Sequence, residues 1–167
     1  MTKWTYDVFL SFRGEDTHLN FVGDLYNSLH DLYNSLHQSG IHAFINDESL
    51  KAEEEIKASL LKAIRESKIS IIVFSENYAS LTFCLDELTK IVECFKREGR
   101  LVYPAFYYAD PSEVRHQRGS YGESLLYLQK RSETEEYKLQ KWRLALSPTA
   151  NLSGWHLKPG YLRPCLF

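Results

Sequence analysis

Two short runs carry the residue types that could do chemistry. The first is Asp7-Val-Phe-Leu-Ser-Phe-Arg-Gly-Glu-Asp-Thr17, an apolar segment of alternating character that runs straight into a polar loop. A strand ending in Arg13, Gly14, Glu15, Asp16 and Thr17 sets charged groups and free backbone N–H groups at the carboxyl edge of a sheet, where open α/β proteins bind ligands. Gly14 lets a ligand approach the backbone closely. Arg13 could pair with a phosphate, and Asp16 or Thr17 could instead cap the next helix. The second run is Phe83-Cys84-Leu85-Asp86-Glu87-Leu88. Glu87 stands one position before Leu88, at the edge of the apolar face of a helix and near its start. That puts a carboxylate at the border between core and cleft. By residue type alone, a glutamate there simply solvates or caps a helix edge. Asp86 beside it points elsewhere and favours the positive helix N-terminus, a structural role. Phe83 could flank a cleft or pack on the core, and burial is the commoner fate of a lone aromatic. Ser75, at the end of an apolar run, reaches the same sheet edge and could touch a substrate.

The elements that must position these groups alternate. Short β-rich runs at Tyr6–Phe12, Ile41–Asn46, Ile69–Ser75 and Leu101–Tyr107, with a weaker one at Asn151–His156, are separated by stretches of helical periodicity. Residues 56–66 place Ile56, Leu60, Ala63 and Ile64 on one face, and residues 83–97 do so with Leu88, Ile91, Val92 and Phe95. Residues 121–146 read as broken helical pieces that end before Pro148. Asp110-Pro111-Ser112 reads as a turn and Ser120-Tyr121-Gly122 as a second break. Alternation of this kind predicts an α/β fold with a parallel sheet and helices on both faces.

The 167 residues are enough for one domain with a sizeable core, and 44% hydrophobic content argues against disorder. A net charge of −2 implies no basic face, so nucleic acid is not the default partner. The N-terminal residues carry no apolar signal core, and no stretch is long enough to span a bilayer. Three cysteines (Cys84, Cys94, Cys165) show no CxxC spacing and read as reduced thiols of a cytosolic or nuclear protein. The six histidines show no metal spacing, and His116 reads as a surface or packing residue. Neither a GxGxxG nor a GxxxxGK[ST] run is present, and no nucleophile elbow frames a serine. Asp7 lies near the start of its strand, away from the ligand edge, which leaves a phosphoacceptor role little support.

One repeat stands out. Asp24-Leu-Tyr-Asn-Ser-Leu-His30 recurs unchanged as Asp31 to His37. Seven residues fall about 20° short of two full helical turns, so Leu25, Leu29, Leu32 and Leu36 share a stripe and one continuous helix fits the pattern. It would be about 10 Å longer than its strands need, and the excess is expected to overshoot at the Gly40 end. The plain explanation is a recent tandem duplication, or a gene-model error, without a function of its own.

Over residues 4–160 the chain resembles the plant TIR (Toll/interleukin-1 receptor) domain. The carriers are the run 7–17, the Cys84-Leu-Asp-Glu-Leu88 motif, the block Asp110–Gly122, Lys141–Leu146 and Asn151–Trp155. The resemblance implies a flavodoxin-like three-layer sandwich with a central five-stranded parallel sheet in the order 2-1-3-4-5. It implies that Glu87 is the catalytic residue of NAD⁺ cleavage, with NAD⁺ as substrate, no resident cofactor and no metal. Nicotinamide leaves the ribose, charge builds on the sugar, and a carboxylate stabilises that oxocarbenium-like state. The substrate would lie against Phe12, Arg13, Gly14, Glu15, Asp16, Thr17, Ser75 and Phe83. A mobile loop after the second strand would include Leu50, Lys51, Ala52 and Glu53. Partners would be other copies or other TIR-domain proteins, with no membrane, in cytosolic plant immune signalling.

The chain also departs from the family. Ala52-Glu53 stands where Arg-Gly is usual, so Glu53, Glu54 and Glu55 replace positive charge with negative. Phe83 stands where tryptophan is usual, and Gly23-Asp24 replaces a Ser-His pair. After Tyr161 the match fails, residues 161–167 read as a tail outside the family, and Pro164 argues against a last helix. These departures give an alternative: a catalytically weak adaptor or decoy that binds other TIR-containing receptors.

Overall fold

The structure is a computed structural model that describes residues 4–13, 31, 33–45, 58–131, 135–158 and 161–165. Its strands are β1 (Tyr6–Ser11), β2 (Ala43–Ile45), β3 (Ser67–Phe74), β4 (Leu101–Tyr107), β5 (Gly154–Lys158) and β6 (Tyr161–Cys165). The helices are α1 (its described part 33–38), α2 (Ala58–Arg65), α3 (Thr82–Glu98), α4 (Pro111–His116), α5 (Gly119–Lys130) and α6 (Glu136–Ala150). Sheet order is β2-β1-β3-β4-β5-β6. The first five strands pair in parallel, as the alternation requires, with Leu10 opposite both Ile45 and Ile71.

Side-chain alternation explains how this sheet carries two cores. On β1, Val8 and Leu10 join Ala43 beneath Tyr33 and Leu36 of α1. Phe9 faces the other way, into the main core with Ile72, Phe74 and Phe106 of the sheet and Leu85, Leu88 and Ile91 of α3. Helix α3 reaches that core because Cys84, Leu88, Ile91 and Val92 recur at helical spacing and are buried. Helix α6 brings Leu139, Trp142, Ala145 and Leu146 onto the same core. Each such large apolar side chain contributes about 1.5–3 kcal/mol relative to exposure.

Four expectations change. Residues 161–165, read as a tail, form β6, which pairs antiparallel with β5 and extends the five parallel strands to a six-stranded sheet. Pro164 is accommodated because β6 is the edge strand, where a missing N–H is tolerated. Helix α6 does not stop before Pro148: the proline lies inside it. Burial of Thr149 and Ala150 holds that last turn, and the Ser147 hydroxyl donates to the Arg115 carbonyl at 2.6 Å. Tertiary anchoring thus outweighs the roughly 3 kcal/mol penalty of the ring. Ser120-Tyr121-Gly122 is not a break but the first turn of α5. Glycine is needed there because a Cβ on Gly122 would stand 2.6 Å from the Gln117 carbonyl oxygen. Asp110-Pro111-Ser112 starts α4, the Asp110 carboxylate accepting from the Ser112 N–H at 2.8 Å with Pro111 at the head of the helix.

The second copy of the repeat ends α1. Gly40, at φ +78°, donates to the His37 carbonyl and Ile41 to that of Leu36, the two bonds of a Schellman cap. Leu36 and Ile41 both pack on the Val8–Leu10–Ala43 cluster. The helix end is therefore seated on the sheet two residues before β2, while the helix start, which decides where the extra length goes, lies outside the described residues. The first copy, residues 24–30, lies outside the described residues.

Candidate functional site

The order β2-β1-β3 places a topological switch point between β1 and β3, where chain connections diverge to opposite sides and leave a crevice at the carboxyl edge. Side chains from four segments meet there. Ser11 ends β1 on the α3 side of the sheet, and its hydroxyl lies 3.0 Å from the Tyr78 hydroxyl. Tyr78 belongs to a 3₁₀ turn, Tyr78–Ser80, between β3 and α3. Its O–H donates to the Cys84 carbonyl in the first turn of α3, at 3.1 Å. One proton serves one acceptor, so Ser11 donates to Tyr78 and Tyr78 to Cys84.

Glu87 lies one turn beyond Cys84 and is only 3% exposed. A glutamate so deeply buried is uncommon, because desolvation penalises its charge. Tyr78 is itself fully buried, and its phenol is held well above the usual tyrosine range. Burial is the main cause; the charges of Cys84 and Glu87 add to it, and the Ser11 hydrogen bond works against it. Tyr78 thus lies near enough to Glu87 for its phenol to feel that carboxyl's charge.

The loop after β3 is held from three sides by its own carbonyl groups. The Tyr121 hydroxyl donates to the Ser75 carbonyl at 2.6 Å, and the Ser120 hydroxyl to that of Glu76 at 3.0 Å. Arg13 donates to the Asn77 carbonyl at 2.9 Å and to the Ser80 hydroxyl at 2.5 Å. The Ser75 carbonyl is met inside the protein and those of Glu76 and Asn77 at its surface, so the loop is tied to both β1 and α5.

Among the sequence-predicted residues, Glu87, Ser75 and Arg13 come together around this loop, and Phe83 is buried beside it, 7% exposed, in the main core. Phe12 packs elsewhere, with Val73 and Ala105 in a separate small cluster. Gly14, Glu15, Asp16 and Thr17, and the loop residues Leu50, Lys51, Ala52 and Glu53, lie outside the described residues. Asp86 does point away from Glu87: it accepts from the Trp142 indole N–H at 2.8 Å and tethers α3 to α6. Asp7 accepts from the His42 N–H at 2.8 Å, at the far end of β1. Cys84 is buried and Cys94 half-buried. Among the described residues no group of three metal-ligating side chains forms. A small cavity of about 40 Å³ between α2 and α3, lined by Leu61, Lys90, Cys94 and Arg97 among others, contains none of the predicted site residues.

Sequence reasoning missed Ser11, Tyr78 and Tyr121. One signal was available for Ser11: a small polar residue in a strand position that alternation sends into the core must find a hydrogen-bond partner. Nothing local marks which tyrosine supplies it.

A family model described as the TIR domain matches residues 5–162. The chain is 52% identical over 153 residues to the disease resistance protein RPV1 of Vitis rotundifolia, covering 92% of this chain and 10% of that protein. It is 44% identical over 153 residues to the TMV resistance protein N of Nicotiana glutinosa, covering 92% of this chain and 13% of that one. The chain therefore spans about a tenth of the length of these curated relatives. The TIR domains in the solved structure of the activated Roq1 resistosome, which directly recognises the pathogen effector XopQ, superpose with a TM-score of 0.76 at 45% identity, over 91% of this chain and 87% of that one.

Proposed function

From the premise that this chain belongs to the TIR domain family, we propose that it is an NAD⁺ glycohydrolase that makes ADP-ribose-type signals in plant immunity. The observation that carries the reading is Glu87: a carboxylate 3% exposed, in α3, beside the loop that follows β3 at the sheet's switch point. Nicotinamide departs as a neutral pyridine, so no general acid is needed and one carboxylate suffices. Glu87 faces the ribose and stabilises the positive charge that builds on it. A low-dielectric setting strengthens that interaction. In this reading the substrate is bound by Gly14 to Thr17, Ser75 and Phe83, as the family resemblance implies. The relatives named as disease resistance proteins support the process, and the Roq1 resistosome supports assembly with further TIR domains. The site acts in the cytosol.

The test is NAD⁺ consumption by purified protein at high concentration with a crowding agent, beside Glu87→Ala. Nicotinamide release that disappears in the variant supports the enzyme. Equal background rates from two folded proteins remove it.

A second reading rests on Ala52-Glu53-Glu54-Glu55. This acidic run repels a dianionic dinucleotide and favours an adaptor or decoy that binds other TIR-domain chains without turnover.

A further inference from the structure

We propose that the Tyr78 hydroxyl is a positioning group that sets the distance between the substrate edge of β1 and the Glu87 carboxylate. The inference rests on the glycohydrolase reading for its kinetic consequence but on geometry for its existence. The Ser11 hydroxyl, 3.0 Å from that of Tyr78, belongs to the last residue of β1, two positions before Arg13. The Cys84 carbonyl, 3.1 Å away on the other side, belongs to the turn of α3 that precedes Glu87. One buried phenol therefore ties the strand that leads into the binding loop to the helix that carries the carboxylate.

The surroundings leave that tie little slack. The Tyr78 ring is wholly buried and sits edge-on to Phe74 at 5.2 Å between centroids. Its backbone N–H donates to the Ser75 carbonyl at 3.2 Å, which Tyr121 also holds. With ring and backbone fixed, the hydroxyl has one orientation, and the two groups it joins inherit it. A shift of about 1 Å between a catalytic group and its substrate is enough to lose about a hundredfold in rate, so a fixed spacer here bears on turnover rather than on affinity.

The experiment compares wild type, Tyr78→Phe, Ser11→Ala and the double variant, all confirmed folded. Tyr78→Phe keeps the ring and removes only the hydroxyl. Each single variant is expected to lower kcat for NAD⁺ by about tenfold or more with little change in KM, and the double variant to be no slower than the slower single. Unchanged kcat, a loss confined to KM, or multiplied losses in the double variant overturn the proposal. The same proteins labelled with ¹³C at glutamate carboxyls report without turnover. The Glu87 resonance, assigned by its disappearance in Glu87→Gln, is expected to move in either single variant and no further in the double. If wild type shows no Glu87-dependent cleavage while that resonance moves as described, the enzyme reading falls and the positioning role stands. An unmoved resonance sinks the positioning role whatever the protein does to NAD⁺.

Discussion

The Arg13 guanidinium donates to the Asn77 carbonyl at 2.9 Å, and so bridges the end of β1 to the loop after β3 across the switch point of the sheet. The same nitrogen reaches the Ser80 hydroxyl, which itself donates to the Asn77 carbonyl at 2.7 Å. The arginine that sequence assigns to a ligand phosphate is here a strut of the crevice wall.

Loss of that strut should be felt in stability before affinity. Arg13→Ala is expected to lower unfolding free energy by about 1 kcal/mol, the usual worth of such a bond. Arg13→Lys should recover part of the loss, because both contacts come from one guanidinium nitrogen and a single ammonium carries enough donors for both acceptors. Chemical denaturation of the three proteins decides it, and a wild-type midpoint for Arg13→Ala contradicts the role.

The neighbours Asp86 and Glu87 should separate cleanly. Asp86→Ala leaves the Trp142 indole N–H without its acceptor in a residue 2% exposed. The expected loss is about 1–3 kcal/mol, with no change in any Glu87-dependent NAD⁺ turnover per folded molecule. Asp86→Asn keeps an oxygen acceptor and should lose less. Its Lys138 contact, at 3.8 Å and half in solvent, adds little. Thermal melts beside activity assays give the comparison.

Tyr78 predicts a pH dependence. Its phenol is raised in the folded state, chiefly by burial and then by Cys84 and Glu87. In the unfolded chain a tyrosine titrates near about pH 10. The stability contributed by keeping it neutral is therefore complete below about pH 10 and is lost as pH climbs from there towards the folded value. Tyr78→Phe should be less stable than wild type at neutral pH, for want of two hydrogen bonds, yet decline less steeply in alkali. Parallel denaturation curves from about pH 8 to 11 for the two proteins would count against it.

Gly154→Ala should be severe. A Cβ there would stand 1.9 Å from the Pro104 carbonyl oxygen and 2.9 Å from the carbonyl carbon, both backbone atoms of β4. Strand β4 would have to move, and β4 carries Phe106 into the core. The expected cost is at least about 3–4 kcal/mol, seen as loss of soluble protein or a large fall in melting temperature. A near-wild-type melt would show that β5 can be re-seated without disturbing β4.

Strand runs and helical periodicity made the α/β order legible because burial follows side-chain period. Val8 and Leu10 against Phe9 and Ser11, or Cys84, Leu88 and Ile91 along α3, can be assigned to faces before any contact is known. The Cys84–Leu88 motif singled out Glu87, and Asp86 could be set aside, since adjacent residues on a helix point about 100° apart. Where the reading stopped, local signals had been outvoted by tertiary ones. Pro148 and Gly122 look like helix ends, yet lie inside helices whose neighbours hold them. Pro164 speaks against a helix but not against an edge strand, and only the exposed flank of β5 decides between tail and strand.

What the sequence determined by itself is the sheet order through its family motif, the face each strand buries, and the carboxylate at position 87. What only the tertiary structure decided is which groups meet beside the helical turn that carries that carboxylate. Ser11, Tyr78 and Cys84 are separated by 67 and 6 positions along the chain and meet through two hydrogen bonds. Ser120 and Tyr121, more than forty residues on, close the loop at Ser75 and Glu76. Such contacts have no period and no spacing. They exist because folding withdraws these polar groups from water, and each must then find its partner among whatever side chains the packed core brings within reach.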